Sequence, residues 1–158
     1  MILVRTLLLI LLMLLACGPL AADETTQSAS KLDAAVKRYT VSTQKPYDDV
    51  LEDLEFAITQ NNYRITGRNQ IGHAIGQSKG SAYPESTIVH FCSITAAQEI
   101  FEINPEFLLH MPCRITLRQE QGSVVIEARL VPENDAKLKD ISLRINNMMR
   151  SIADYAAE

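Results

Sequence analysis

Glycine and proline are scarce, with six of each in 158 residues. That scarcity excludes a collagen-like or proline-rich fibre. A hydrophobic content of 47% excludes a disordered acidic tail or a low-complexity chain, because both lack the apolar residues a core needs. Basic residues are outnumbered, 15 against 19 acids, for a net charge of -4. No broad basic surface is therefore available for nucleic acid. No uninterrupted apolar run reaches the roughly 20 residues that a bilayer-spanning helix needs. Ser-His-Asp order, a P-loop, a paired-glycine dinucleotide motif and HExxH are all missing. No catalytic residue is assigned, and the sequence lends an enzyme no support.

What is present begins with an export pattern. Arg5 and Thr6 precede Leu7 to Ala16, a stretch without a polar side chain. One charge, a short apolar run and a small-residue exit make a secretory signal peptide over residues 1–22. Two exits are open. Leu14-Leu15-Ala16-Cys17 resembles a bacterial lipobox, with the cut before Cys17 and a lipid on that residue. Gly18-Pro19-Leu20-Ala21-Ala22 resembles an ordinary signal-peptidase site. Residues 23–35 are small and polar, a flexible spacer. The globular domain is expected over 36–158, long enough for one core. The expected location is the bacterial cell envelope, periplasmic, either soluble or lipid-anchored. A lipid on Cys17 would be the sole membrane attachment.

Within the globular part, Arg38 to Thr43 alternates as a strand. Pro46 opens a helix whose first turns carry Asp48, Asp49, Glu52 and Asp53, favoured there by the macrodipole. Its stripe is Tyr47, Leu51, Leu54 and Ile58, and Asn61-Asn62 ends it. Tyr63 and Ile65 begin a second strand. Ile71 to Lys79, with Gly72, Gly76 and Gly80 in and after it, reads as one or two loose helical turns or, as the expectation, a mobile loop. Thr87 to Ile94 reads as a central strand. Thr95 caps a helix to about Ile103, offering Ala96, Ala97, Ile100 and Phe101 for burial. Phe107 to Met111, between Pro105 and Pro112, reads as a buried crossing or distorted turn. Cys113 to Arg118 and Val124 to Leu130 form a hairpin around Glu120-Gln121-Gly122. A final helix from Asn134 to Ala156 carries a seam of Leu138, Ile141, Ile145, Met148, Ile152 and Tyr155. The order β-α-β-β-α-β-β-α predicts a single α+β domain: a mostly antiparallel sheet with helices packed on one face.

Three segments carry a resemblance: Ile71-Gly72-x-x-Ile75, His90-Phe91-Cys92-x-x-x-Ala96, and Asn104-Pro105-x-Phe107-x-x-x-Met111-Pro112-Cys113-Arg114-Ile115. Glu120-Gln121-Gly122-Ser123-Val124 extends it. They resemble the domain of unknown function 302 family, in its exported bacterial branch, over roughly residues 36–156. Ser93 stands where the branch pattern has Asn. The resemblance implies a compact α+β fold and pairing into homodimers. It implies no reaction.

His90, Cys92, His110, Met111 and Cys113 are the candidate site. Alternation puts His90 and Cys92 on one face of one strand, and His110 and Met111 lie just before Cys113. Thiol, imidazole and thioether suit copper, zinc or a haem iron. The same cysteines also suit a disulfide or plain core packing, and no cofactor is assigned. Arg64, Arg68, Arg114, Arg118 and Arg129 take outward strand positions. They read as an anion groove or as an ordinary solvated face, with Glu127 offering pairing. Two functions follow. One is a non-catalytic envelope module binding a small ligand, metal or haem. The other is a ligand-free structural or interaction domain acting as a homodimer.

Overall fold

Alternating burial along five segments builds one sheet, seen in a computed structural model that describes residues 37–158. The signal segment, Cys17 and the spacer lie outside the described residues. The strands are β1 (Arg38–Thr43), β2 (Arg64–Gln70), β3 (Ser86–Cys92), β4 (Cys113–Glu120) and β5 (Ser123–Arg129). Their order is β1-β5-β4-β3-β2, with every neighbouring pair antiparallel. The domain is α+β, as the element order predicts. The β4–β5 turn has two residues, Gln121 at φ 44 and Gly122 at φ 85, whose positive angles match the strand twist.

Helices α1 (Tyr47–Gln60) and α4 (Lys139–Ala157) pack on each other and cover one sheet face. Val50, Leu54 and Ile58 from α1 meet Ile141, Ile145, Met149 and Ile152 from α4, over Val89, Phe91, Ile115, Leu117 and Ile126 of the sheet. The seam of α4 is largely the expected one. Met149, however, is the fully buried methionine, and Tyr155 is exposed beside Phe56 at 5.9 Å. The helix also starts later than expected, because Asp135 closes a turn by accepting from the Lys137 amide at 2.8 Å.

Two segments differ from the reading of the sequence. Ile71–Lys79 is a helix, α2, and no loop. Its glycines recur every four residues, so they line one helix face. There the backbone of Ser81 to Ser86 crosses it closely: a Cβ on Gly72 would sit 2.3 Å from the Pro84 carbonyl oxygen. Pro105–His110 is a 3-10 helix, which Asn104 starts by accepting from the Glu106 amide at 3.0 Å.

The other sheet face carries His90, Cys92, Arg64, Arg114, Arg118 and Arg129, by alternation with the buried Phe91, Ile115 and Ala128. Arg68 does not join them. The register shifts between Ile65 and Gly67, which pairs Arg68 with the core-facing Val89 and lets it reach Glu55 of α1. Among the described residues no helix is long and apolar enough to cross a membrane.

Candidate functional site

The end of β3, helix α3 (Ile94–Ile103), the 3-10 helix and the start of β4 meet at one end of the sheet. Local capping fixes this roof. Ser93, and not Thr95, caps α3 by accepting from the Ala96 amide at 3.4 Å. Asn serves equally well as an N-cap, so Ser93 fits the position that carries Asn in the branch pattern. Asn104 also donates to Asp135 at 3.3 Å, tying the roof to the segment before α4. Phe107 turns inward and packs against His110, ring centroids 4.9 Å apart.

Beneath the roof is a cavity of about 20 Å³, walled by Cys92, His110, Met111 and Cys113 together with Tyr63, Ile100, Phe107 and Ile145. A single water needs roughly 10–15 Å³ of such space. The cavity therefore has room for about one water as it stands, and is too small for a haem.

Four of the five candidate residues thus line one cavity. His90 does not. It lies on the open sheet face, where its Nε2 bonds Asn69 Oδ1 at 3.0 Å. Both described cysteines are free thiols. Cys113 pairs in register with Phe91 and faces the core, so Cys92 borders the cavity from a position whose side alternates away. The third histidine, His73, is on α2 and bonds Gln77 at 2.9 Å.

The electrostatics keep the site neutral. Burial pushes the Cys113 thiol up to about 12, and burial raises Cys92 as well. Tyr63 is likewise pushed up to about 12, first by burial and then by the two thiols. His110 is lowered, by burial first and by the Arg129 charge second. Protonated thiols are poor nucleophiles and poor metal ligands. Among the described residues no three His, Cys, Asp or Glu side chains converge to hold a metal ion.

What the sequence reading missed is the outside of the roof. Phe101 is 46% exposed, and only Ile100 of α3 is buried. In the 3-10 helix Phe107 alone is buried, while Leu108 and Leu109 are 55% and 82% exposed. Ile94 is 81% exposed. Ile94 and Phe101 lie seven residues apart, on one helix face. The signal was the apolar excess itself: more large side chains than a segment of this length can bury.

The family described as Domain of unknown function DUF302 matches the chain over residues 39–155. Among solved structures, the crystal structure of an uncharacterized conserved DUF302 protein from Bacillus stearothermophilus is similar. The two chains are 22% identical with a TM-score of 0.68, over 77% of this chain and 98% of that one. At that identity the likeness shows the fold. Among curated proteins, none matches the chain.

Proposed function

This chain belongs to the DUF302 family, and on that premise we propose a non-catalytic module of the bacterial cell envelope that works by contact, pairing with a second copy through the outer face of α3 and the 3-10 helix. The observation that carries the reading is the exposure of Ile94, Phe101, Ile103, Leu108 and Leu109 along one short segment. An apolar surface of this kind, rimmed by polar residues, marks an interaction site. The segment from Ile94 to His110 carries Glu99, Glu102 and Glu106 and no Lys or Arg. That charge disfavours an anionic lipid surface and favours a protein partner. A second copy is the partner that the family resemblance implies.

The envelope location rests on the Arg5 and apolar pattern and on the small-residue exits before Cys17 or after Ala22. In this reading the domain is either free in the periplasm or tethered by a lipid on Cys17.

A second reading has its own support. The cavity is almost wholly apolar, with Cys92, Cys113, His110 and Met111 at its wall. A small apolar ligand admitted by movement of the roof would use these residues. The neutral thiols and the small volume weigh against haem or a thiolate-bound metal.

Sedimentation equilibrium tests the pairing. Leu109 is nearly solvated, so Leu109→Asp leaves the core intact. The expected result is a dimer for the native protein and a monomer for the variant. A native monomer, or a dimer that Leu109→Asp leaves unchanged, refutes this surface.

A further inference from the structure

The six strand arginines are not equivalent. Arg68 is paired with Glu55 at 2.6 Å, and Arg118 with Glu120 at 2.6 Å and also with Glu127. Arg114 and Arg129 differ. They lie on adjacent strands of the open face, one step beyond the Ile115–Ala128 pair, and so stand side by side. Together with His110 and Pro112 they line one narrow niche that is too tight for a water as it stands. Arg114 Nε is buried and makes no hydrogen bond. Among the described residues neither guanidinium has a carboxylate partner. The carboxylates on this face, Glu120 and Glu127, are already bonded to Arg118, and Glu127 also to Arg38 at 3.5 Å. The register extends the row, with Arg38 opposite Arg129 and His90 opposite Arg114.

Two adjacent guanidiniums without a counter-ion repel each other, and a buried unbonded Nε carries a desolvation cost. An oxyanion on the solvent side of the pair removes the repulsion, and it bonds the Arg114 Nε once that side chain turns outward, because a planar guanidinium fork matches it with paired hydrogen bonds. The two forks offer more N–H donors than the two oxygens of a carboxylate accept, which favours a phosphate. We propose that Arg114 and Arg129, flanked by Arg38 and His90, form a phosphate-binding site on the open sheet face. The site is separate from the apolar roof and does not depend on dimerisation.

The test uses inorganic phosphate and isotope-labelled protein isolated from its host. Side-chain Nε resonances of Arg114 and Arg129 are expected to shift saturably, while those of Arg68 and Arg118 stay in place. Arg129→Gln should weaken phosphate binding roughly tenfold or more. Should that variant unfold, the native resonances decide alone. Equal shifts at all four arginines, or no saturable shift, overturn the site. Phosphatidylcholine vesicles with and without phosphatidylglycerol then identify the source. Retention on the anionic vesicles that Arg129→Gln abolishes assigns the phosphate to a lipid headgroup. Phosphate binding without vesicle retention assigns it to a soluble molecule.

Discussion

Cys113 stands directly opposite Phe91, and not opposite Cys92. That register sends the Cys113 thiol into the core, where burial pushes it up to about 12 from an ordinary 9. The sign follows from proton linkage. Above pH 9 the unfolded chain releases the proton while the native state keeps it, so stability falls with rising pH until about pH 12. Below pH 9 the contribution is complete. Denaturation midpoints at pH 8 and pH 10.5 should therefore drop more steeply for the native protein than for Cys113→Ala. The difference is on the order of 1–2 kcal/mol at the upper pH. Tyr63 is present in both proteins and is raised first by burial, which the substitution leaves largely in place. Parallel slopes would show that the thiol is solvated.

The strand set was legible because alternation is a local property: β1, β4 and β5 follow from their own residues, and the Gln121-Gly122 turn joins the last two. The stripe on α4 was legible for the same reason. Which strands pair was not, since β5 inserts between β1 and β4 through contacts far apart in sequence. The candidate site inherits that limit. Grouping His90 with Cys92 was sound within one strand, but only the register shows that Phe91 is the residue facing Cys113. The roof was misread because Leu108 and Leu109 look like core side chains. Their exposure depends on how far the sheet beneath extends, which no local pattern encodes.

Helix α2 gives a sharper case, because its glycines look like breakers and act as spacers. A Cβ on Gly72 would lie 2.3 Å from the Pro84 oxygen and 2.7 Å from the Ser86 nitrogen, both backbone atoms. Neither can give way without moving the start of β3. Gly72→Ala should cost about 1–3 kcal/mol. Gly67 has nothing within 4 Å of its would-be Cβ, so Gly67→Ala should change stability by no more than about 0.5 kcal/mol. Thermal melts of the two variants side by side settle the matter. Similar losses in both would show that α2 does not pack at Gly72.

Asn146 is the buried polar residue on which the segment after β5 depends. It sits fully inside α4, next to Ile145 of the cavity wall. Its Oδ1 accepts from the Val131 amide at 2.8 Å, and its Nδ2 donates to the Val131 carbonyl at 3.0 Å and to Glu133 at 2.6 Å. One side chain thereby supplies both bonds that a neighbouring strand would give a residue just past the sheet. Val131 is 5% exposed, so water does not readily replace those bonds. Asn146→Ala leaves an amide and a carbonyl unpaired and should cost roughly 2–4 kcal/mol. Asn146→Asp keeps the shape but removes the donor and places a second carboxylate against Glu133, so it should cost at least as much at neutral pH. It should recover part of that loss as the pH falls and the new carboxyl is protonated. Urea midpoints of both variants at pH 7 and pH 4.5, each compared with the native protein, measure the two effects. An alanine variant within about 0.5 kcal/mol of native would mean that Val131 finds other partners, and that the link from α4 to the cavity wall is dispensable.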